Sequence, residues 1–212
     1  MRVPFVFLFL YDIMITAREM DKLLYHASQT GNIRVLEPRV SNHNTPLIYF
    51  SAKRENVLVY LSNAVEKYCK ETEFAHNGKW HKWASYGFEP DGILRLDEYY
   101  PNAIKDTYKG VSGYIYCSND IYETESDIKI NNVVATSEAV PVVSVEFIED
   151  AYAEILKAEK AGLIKIRRFE DMSDKMLAWI KNTIKSEYTQ AENEPDYRYF
   201  LKANFPFLSA DC

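Results

Sequence analysis

The order of the hydrophobic patterns along this 212-residue chain most restricts the folds that it can adopt. Short apolar runs of strand length, with a few helical segments between them, continue as far as Ile148. Beyond that residue the pattern is helical alone. No internal repeat or low-complexity tract interrupts this order, and the chain has only seven glycines. Strands first and helices last predict an α+β protein with a C-terminal helical appendage packed on the core.

Run length and spacing place the individual elements. Strands are predicted over residues 22–27, 47–51, 92–96, 113–117, 128–136 and 140–148. Helices are predicted over residues 53–70, 99–108, 149–161, 173–188 and 196–204. Gly162 is the expected C-cap of the third helix and Ser173 the expected N-cap of the fourth. Pro141 near the start of its strand favours an edge position or a strand end.

Composition is that of one soluble domain with an appendage. Apolar residues make up 47% of the chain and charged residues 26%, as in ordinary globular proteins. The net charge is −6 and no long stripe of Lys and Arg is present, so strong binding to duplex DNA is not expected. Cys69, Cys117 and Cys212 imply no disulfide framework, which favours a reducing cytoplasmic location. We expect a core over residues 21–162 and an appendage over residues 163–212.

The N-terminal segment contains an apolar run from Val3 to Leu10. Asp12 interrupts the run, which is too short to span a bilayer, so no membrane partner is expected. Met20 would make a conventional start for a soluble protein. We therefore interpret residues 1–20 as an extension from an upstream start codon. A short buried strand and a secretion signal are the alternatives.

Two short motifs carry the main functional indication. The first is Leu24-Tyr25-His26-Ala27-Ser28, at the first predicted strand. It resembles the first-strand motif of the diphtheria-toxin-like ADP-ribosyltransferases, in which an aromatic, a His, a small residue and a Ser or Thr follow one another. The second is Leu47-Ile48-Tyr49-Phe50-Ser51-Ala52, after which Tyr60 follows Tyr49 by eleven residues. This strand and helix are similar to the poly(ADP-ribose) polymerase pattern.

The resemblance implies a fold of split antiparallel sheets and NAD as the substrate. It implies that His26 binds the adenosine ribose, that the main chain of Ala27 holds the nicotinamide amide, and that Tyr49 and Tyr60 sandwich the nicotinamide ring. The residues that it places against the cofactor are Tyr25, Ala27, Ser28, Ser51 and Tyr60.

A third family element is an acidic residue at the head of a late strand. In the family this residue binds the nicotinamide-ribose hydroxyl and stabilises the oxocarbenium-like transition state. The best match is Glu138, before the predicted 140–148 strand, and it completes the implied catalytic set with His26 and Tyr49. Glu146 is a poorer candidate because it lies inside that strand, and Glu123 and Glu125 stay open.

The residue types agree with this chemistry. A dinucleotide with a flat leaving ring needs aromatic faces, a hydrogen-bonding group for each ribose and a carboxylate near the developing cation. His26, Tyr49, Tyr60 and Glu138 supply those groups. The glycine-rich Rossmann and P-loop motifs are absent from the sequence. The alternative is structural: His26 and the two tyrosines as core residues, and Glu138 as a polar residue at a strand start.

Other polar and aromatic groups are interpreted as structural. His76, His81 and Cys69 match no common zinc spacing, so no metal site is predicted. Trp80 and Trp83 are expected to form a lid or a satellite core. The basic run at Lys165, Arg167 and Arg168 is expected to be a solvated face, with a weak nucleic-acid or protein contact as the alternative.

The resulting hypothesis is an NAD-dependent ADP-ribosyltransferase-like protein that cleaves the nicotinamide glycosidic bond and transfers ADP-ribose to an unknown acceptor. A protein side chain, a nucleic acid, a small molecule and water all stay open as acceptors. The alternative is a non-catalytic binding or interaction module of the same fold, such as a phage or mobile-element protein. Ala27 favours it, because the family usually has Gly there. RNA 2′-phosphotransfer is disfavoured by the few arginines near the motifs and by the acidic charge.

Overall fold

A computed structural model describes residues 23–40, 45–81, 83–119, 121 and 132–209. Within these ranges the chain is a mixed α+β structure with eleven strands and five α-helices, as the order of the patterns predicted. The predicted extension over residues 1–20, the start of the 128–136 strand, and Glu123, Glu125 and Cys212 lie outside them.

The strands are β1 (Leu24–Ser28), β2 (Val35–Leu36), β3 (Arg39–Val40), β4 (Pro46–Ser51), β5 (Ser85–Phe88), β6 (Leu94–Asp97), β7 (Gly113–Ser118), β8 (Val133–Thr136), β9 (Val140–Pro141), β10 (Ser144–Ile148) and β11 (Ile164–Arg167). The α-helices are α1 (Ala64–Glu71), α2 (Ala103–Tyr108), α3 (Ala151–Lys160), α4 (Asp174–Gln190) and α5 (Pro195–Asn204). Three 3-10 helices span Arg54–Leu61, Phe169–Asp171 and Pro206–Leu208; the first is called the long 3-10 helix below.

The strands form three sheets in the described part of the chain. The largest has the order β10-β7-β1-β4-β3, with β8 also paired to β4, and all of its pairs are antiparallel. In the second sheet β6 pairs antiparallel with β5 and parallel with β11. The third is the short pair β2 and β9. Strands β1 and β4 are paired only where Tyr25 faces Ser51, so the two strands diverge from that point.

The two faces of the largest sheet support separate apolar clusters. Ala27 and Ile115 lie on the face covered by the long 3-10 helix and belong to the main core. Their neighbours along the strands point to the opposite face, because successive side chains of a strand alternate. There Leu24, Phe50 and Tyr116 form the second cluster with short neighbouring segments.

Gly113 on β7 allows the long 3-10 helix to approach this sheet closely. A Cβ atom at that position would lie 2.6 Å from Leu61 Cδ2 and 3.1 Å from the Ser28 carbonyl oxygen. A side chain here would displace the end of the Leu61 side chain and crowd the Ser28 carbonyl, so the close packing at this point favours glycine. The same helix carries several cavity-lining residues.

The helix predicted over residues 53–70 is wrong as a single element. The long 3-10 helix ends at Leu61, and Ser62 and Asn63 have extended backbones before α1 begins. The Asn63 side chain accepts hydrogen bonds from the backbone N–H groups of Val65 and Glu66. An N-cap of this type starts a new helix, because it satisfies donors that have no partner in the first turn.

The strand predicted over residues 140–148 is also wrong as one element. It is divided into β9, which pairs with β2, and β10, which pairs with β7. Between them the N–H of Val142 donates to the Arg34 carbonyl and that of Val143 donates to the Cys117 carbonyl. The two halves therefore join different sheets, and Pro141 lies at the end of a short strand as expected.

The last helices confirm their predictions. Ser173 caps α4 by accepting from the Met176 N–H, and Gly162 follows α3 with a φ of 73°. Strand β11 was not predicted, although its Ile-Lys-Ile-Arg alternation is typical of a strand with one buried face. Strand β5 lies between residues 70 and 92, and β2 and β3 lie between residues 27 and 47. No strand or helix was predicted in either segment, so both were expected to be irregular. None of the helices in the described part is long and apolar enough to cross a bilayer.

Candidate functional site

A cavity of about 390 Å³ lies between the largest sheet and the three-stranded sheet. One wall comes from β4 and β8, the opposite wall from β5 and β6, and the long 3-10 helix contributes a third side. Its size falls within the range of small-molecule binding sites. The cavity is therefore the first place in the described structure to look for a ligand.

The two tyrosines of the second motif meet in this cavity. Tyr49 reaches it from β4 and Tyr60 from the long 3-10 helix, so the eleven-residue spacing brings both phenols to one site. The Tyr60 ring lies 6.5 Å from the Tyr86 ring in an edge-to-face arrangement and 6.4 Å from the Trp80 ring. Phe88 lines the same wall as Tyr86. These rings give the cavity several aromatic faces.

The polar groups of the cavity are neutral. Desolvation of its hydroxyl, together with the nearby phenols of Tyr86 and Tyr49, raises the pKa of Tyr60 to about 12. Ser51 is buried, and its Oγ accepts a hydrogen bond from the Lys53 N–H. No charged side chain lines the cavity among the described residues. Among the described residues, the cavity therefore offers aromatic and neutral polar contacts and no charged side chain to pair with an anionic group.

Asn56 is the polar residue of the cavity that the sequence did not single out. It lies on the long 3-10 helix and is 5% exposed, and neither Nδ2 nor Oδ1 has a hydrogen-bond partner among the described residues. Tyr86 and Phe88 were missed as well, because their segment was expected to be irregular. The available indication for Asn56 was its position four residues before Tyr60, about one helical turn away.

The first motif lies beside this cavity without lining it. The His26 side chain packs against Phe50, with ring centroids 5.8 Å apart, and Nδ1 lies 2.9 Å from the Tyr49 carbonyl oxygen. The carbonyl can only accept, so Nδ1 is the donor. Ala27 is buried in the main core, and the Ser28 hydroxyl accepts from the Thr30 N–H. Tyr25 packs against the main core.

The position of His26 predicts a dependence of stability on pH. Burial lowers the pKa of His26, although the bond to Tyr49 opposes that effect, and the charge of Arg39 lowers it further. The unfolded chain therefore takes up a proton at a higher pH than the folded protein does. Stability should fall as the pH drops below about 6.5, by at most about 1.4 kcal/mol per pH unit for one proton.

Urea unfolding at pH 7.5 and at pH 5 measures this effect. In His26→Asn the amide nitrogen can replace Nδ1 as the donor to Tyr49 but does not titrate, so the dependence should become shallower. Burial also lowers the pKa of His81, so some dependence should persist in the variant. Equal slopes for the variant and the wild type would contradict the assignment to His26.

The acidic residues of the third element do not line the cavity. Glu138 is exposed in the turn between β8 and β9, and its N–H donates to the Thr136 hydroxyl. Strand β8 touches the cavity through Val133 and pairs Ala135 with the cavity residue Tyr49, but Glu138 itself is not a lining residue. Glu146 on β10 binds Arg54 with oxygens at 2.6 and 2.8 Å, and these bonds lower the pKa of Glu146.

The histidines and Trp83 have structural surroundings. Trp83 is buried in the main core, edge to face with Tyr108. His81 stacks on Tyr197 with ring centroids 4.0 Å apart, and its Nε2 lies 2.8 Å from a Glu194 oxygen. His76 Nε2 lies 3.8 Å from an oxygen of Asp196.

The basic run expected to be a solvated face is ion-paired. Lys165 pairs with Glu89, Arg167 with Asp97, and Arg168 with Glu159. These carboxylates already neutralise the cations, which weakens the case for a nucleic-acid contact.

A scan against protein-family models finds no matching family, and searches of curated proteins and of solved structures find no match to this chain. What the cavity can bind must therefore be argued from its own residues.

Proposed function

We propose that this chain binds NAD by inserting the nicotinamide ring between Tyr49 and Tyr60. The proposal depends mainly on one observation: both tyrosines line the same cavity of about 390 Å³. Aromatic side chains prefer offset or edge-on contact with a flat ring, and such pairs contribute about 0.5–1.5 kcal/mol beyond the area they bury. Nicotinamide presents a flat face of this kind.

The arrangement of the strands supports an ADP-ribosyltransferase-like fold. Strands β1 and β4 carry the two motifs and diverge beyond the single pair formed by Tyr25 and Ser51. The His26 side chain bridges the gap to the Tyr49 carbonyl at 2.9 Å. A sheet that opens between these motifs is what the resemblance implies, and the cavity lies next to the opening.

The geometry favours binding over transfer of ADP-ribose. In the transferases that the motifs resemble, a carboxylate binds the nicotinamide-ribose hydroxyl and stabilises the oxocarbenium-like transition state. Glu138 is exposed in its turn and Glu146 is neutralised by Arg54, and no described carboxylate lines the cavity. We therefore propose the non-catalytic module as the function, with a role in recognition of NAD rather than in its cleavage.

Calorimetric titration with NAD and with nicotinamide tests the binding. We expect Tyr60→Leu to weaken both ligands roughly 10-fold, because leucine keeps apolar contact but removes the aromatic face. Tyr188→Leu is the matched control, since Tyr188 lies on α4 and does not line the cavity. Absence of heat with either ligand in the wild-type protein would contradict the proposal.

An assay for nicotinamide release from labelled NAD distinguishes a non-catalytic module from an enzyme. The proposed module releases none above the buffer rate, and Glu138→Ala leaves this unchanged. Release that depends on Glu138 would instead support the transferase hypothesis, and it would require the turn after β8 to move toward the cavity.

A further inference from the structure

Asn56 lines the cavity with a buried, unsatisfied side-chain amide. Its nitrogen and oxygen have almost no exposed surface, so a ligand reaches them only when the side chain turns toward the cavity. Its side chain is 5% exposed, and among the described residues neither its nitrogen nor its oxygen has a hydrogen-bond partner. Burial of an amide without partners costs free energy, and most buried polar groups in proteins are paired. An amide in this state at the edge of an aromatic cavity indicates a group that is satisfied by a ligand.

The local structure makes no other use of this side chain. The backbone N–H of Asn56 donates to the Lys53 carbonyl, so the main chain is already satisfied without it. The side chain forms no cap on the long 3-10 helix, whose N-cap residue Lys53 has no side-chain cap bond. The following residues Val57, Leu58 and Val59 are buried and apolar. A leucine has the same branching and would suit these apolar surroundings, although its side chain is larger.

We propose that Asn56 recognises the carboxamide of the bound ring, an inference that rests on the proposed function. An asparagine side chain offers two donor hydrogens on Nδ2 and an acceptor on Oδ1. A primary carboxamide carries the same pair of groups, so the two amides can exchange two hydrogen bonds. Tyr49 and Tyr60 then contact the faces of the ring while Asn56 binds its substituent.

This pairing selects a neutral carboxamide against a carboxylate. A carboxylate has only acceptors, so it would place a negative charge against the Oδ1 lone pairs. Among the described residues, no charged side chain lines the cavity, so none could neutralise such an anion. Burial of an unpaired charge is far more costly than burial of a neutral amide. The ligand class is therefore a flat ring that bears a neutral carboxamide, as nicotinamide does.

Three ligands that share the pyridine ring test the role of Asn56: nicotinamide, nicotinate and 3-methylpyridine. By calorimetric titration at pH 7.5, the wild-type protein should bind nicotinamide roughly 10- to 100-fold more tightly than either analogue. Asn56→Leu should bind nicotinamide no more tightly than 3-methylpyridine, and its affinity for 3-methylpyridine should stay within about two-fold of the wild type. The melting temperature should not fall, because an unpaired buried amide is removed.

Asn56→Ala provides a second variant if leucine overfills the site, and Asn182→Leu on the exposed side of α4 is the control. Equal nicotinamide affinity in wild type and both Asn56 variants would overturn the role of Asn56 and leave the proposed function standing. Absence of binding of any of the three rings to the wild type would overturn both. A fall in melting temperature with unchanged ligand preference would show a structural amide and would also overturn the role.

Discussion

Replacement of Asp97 by alanine is expected to lower the free energy of unfolding by about 3 kcal/mol. Asp97 lies at the end of β6 and is 1% exposed. It accepts hydrogen bonds from Arg95 Nε at 2.9 Å and from Arg167 Nε at 2.8 Å, and Arg167 is its partner on β11. Its removal leaves two guanidinium groups without their shared carboxylate. Their partial exposure places the loss at the low end of the range for buried pairs.

The same residue predicts a loss of stability in acid. Burial opposes ionisation of Asp97, but the hydrogen bonds from Arg167 and Arg95 outweigh it and lower the pKa of Asp97. The contribution of Asp97 to the free energy of unfolding is therefore complete at pH values above its ordinary pKa of 3.8, and it is lost as the pH falls below that value. Urea unfolding at pH 7 and at pH 3.5 measures both effects. Glu71→Ala, which removes the exposed pair with Lys67, should change stability by less than about 0.5 kcal/mol. A similarly small change in Asp97→Ala would refute the prediction.

The second large effect is expected for Phe200→Ala, with a loss of about 3–5 kcal/mol. Phe200 lies on α5 and is 1% exposed. Its ring lies 5.8 Å from that of Tyr68 on α1 and 6.2 Å from that of Tyr100, edge to face in both cases. Residues from both sides of the predicted boundary at 162 thus share one core. Removal of this ring leaves a cavity at the centre of their contact.

Thermal and urea unfolding, followed by circular dichroism and by tryptophan fluorescence, should both show one transition for Phe200→Ala at a lower midpoint. Leu163→Ala is the control, because this side chain is 47% exposed and its truncation should cost less than about 0.5 kcal/mol. Separate transitions for the two probes would contradict a shared core. They would instead indicate that residues 163–209 unfold independently.

Asp97 and Phe200 both lie in parts of the structure that support the walls of the cavity. Strands β5 and β6 form one of its walls, and the pair of Asp97 with Arg167 joins β6 to β11. Helix α5 supports α1, which directly follows the long 3-10 helix that carries Asn56 and Tyr60. Losses at Asp97 or Phe200 should therefore weaken ligand binding through the stability of the walls, unlike a change at Tyr60.

Local sequence patterns predicted the elements whose apolar spacing and capping residues lie within or next to the element itself. Helices α3, α4 and α5 were predicted because their apolar spacing and caps, such as Ser173 and Gly162, lie within a few residues of each helix. Strands β1, β4 and β7 were predicted by short apolar runs. The break after Leu61 was missed although its signal, the N-cap Asn63, is local. The break after Pro141 was missed because it depends on a change of sheet.

The candidate site divides in the same way. Tyr49 and Tyr60 were identified from the resemblance of their motif and its eleven-residue spacing, and both line the cavity. His26 was placed near them but faces Phe50 and the Tyr49 carbonyl, since the side of the sheet depends on register. Glu138 was assigned as the best match to the third element of the same resemblance, but it is exposed in the turn after β8 and does not line the cavity.

The sequence by itself determined the α+β class and the terminal helices, because these follow from periodicity and short-range spacing, and the resemblance of its second motif singled out Tyr49 and Tyr60. Only the tertiary structure decided that β5, β6 and the long 3-10 helix close a cavity around those tyrosines, and that Asn56 lies in it with an unsatisfied amide. The physical reason is that hydrogen-bond satisfaction and burial are set by segments far apart in the chain. A polar residue in an apolar run looks the same in the sequence in two cases. A distant strand can supply its hydrogen-bond partner, or the side chain can stay unpaired beside a ligand site.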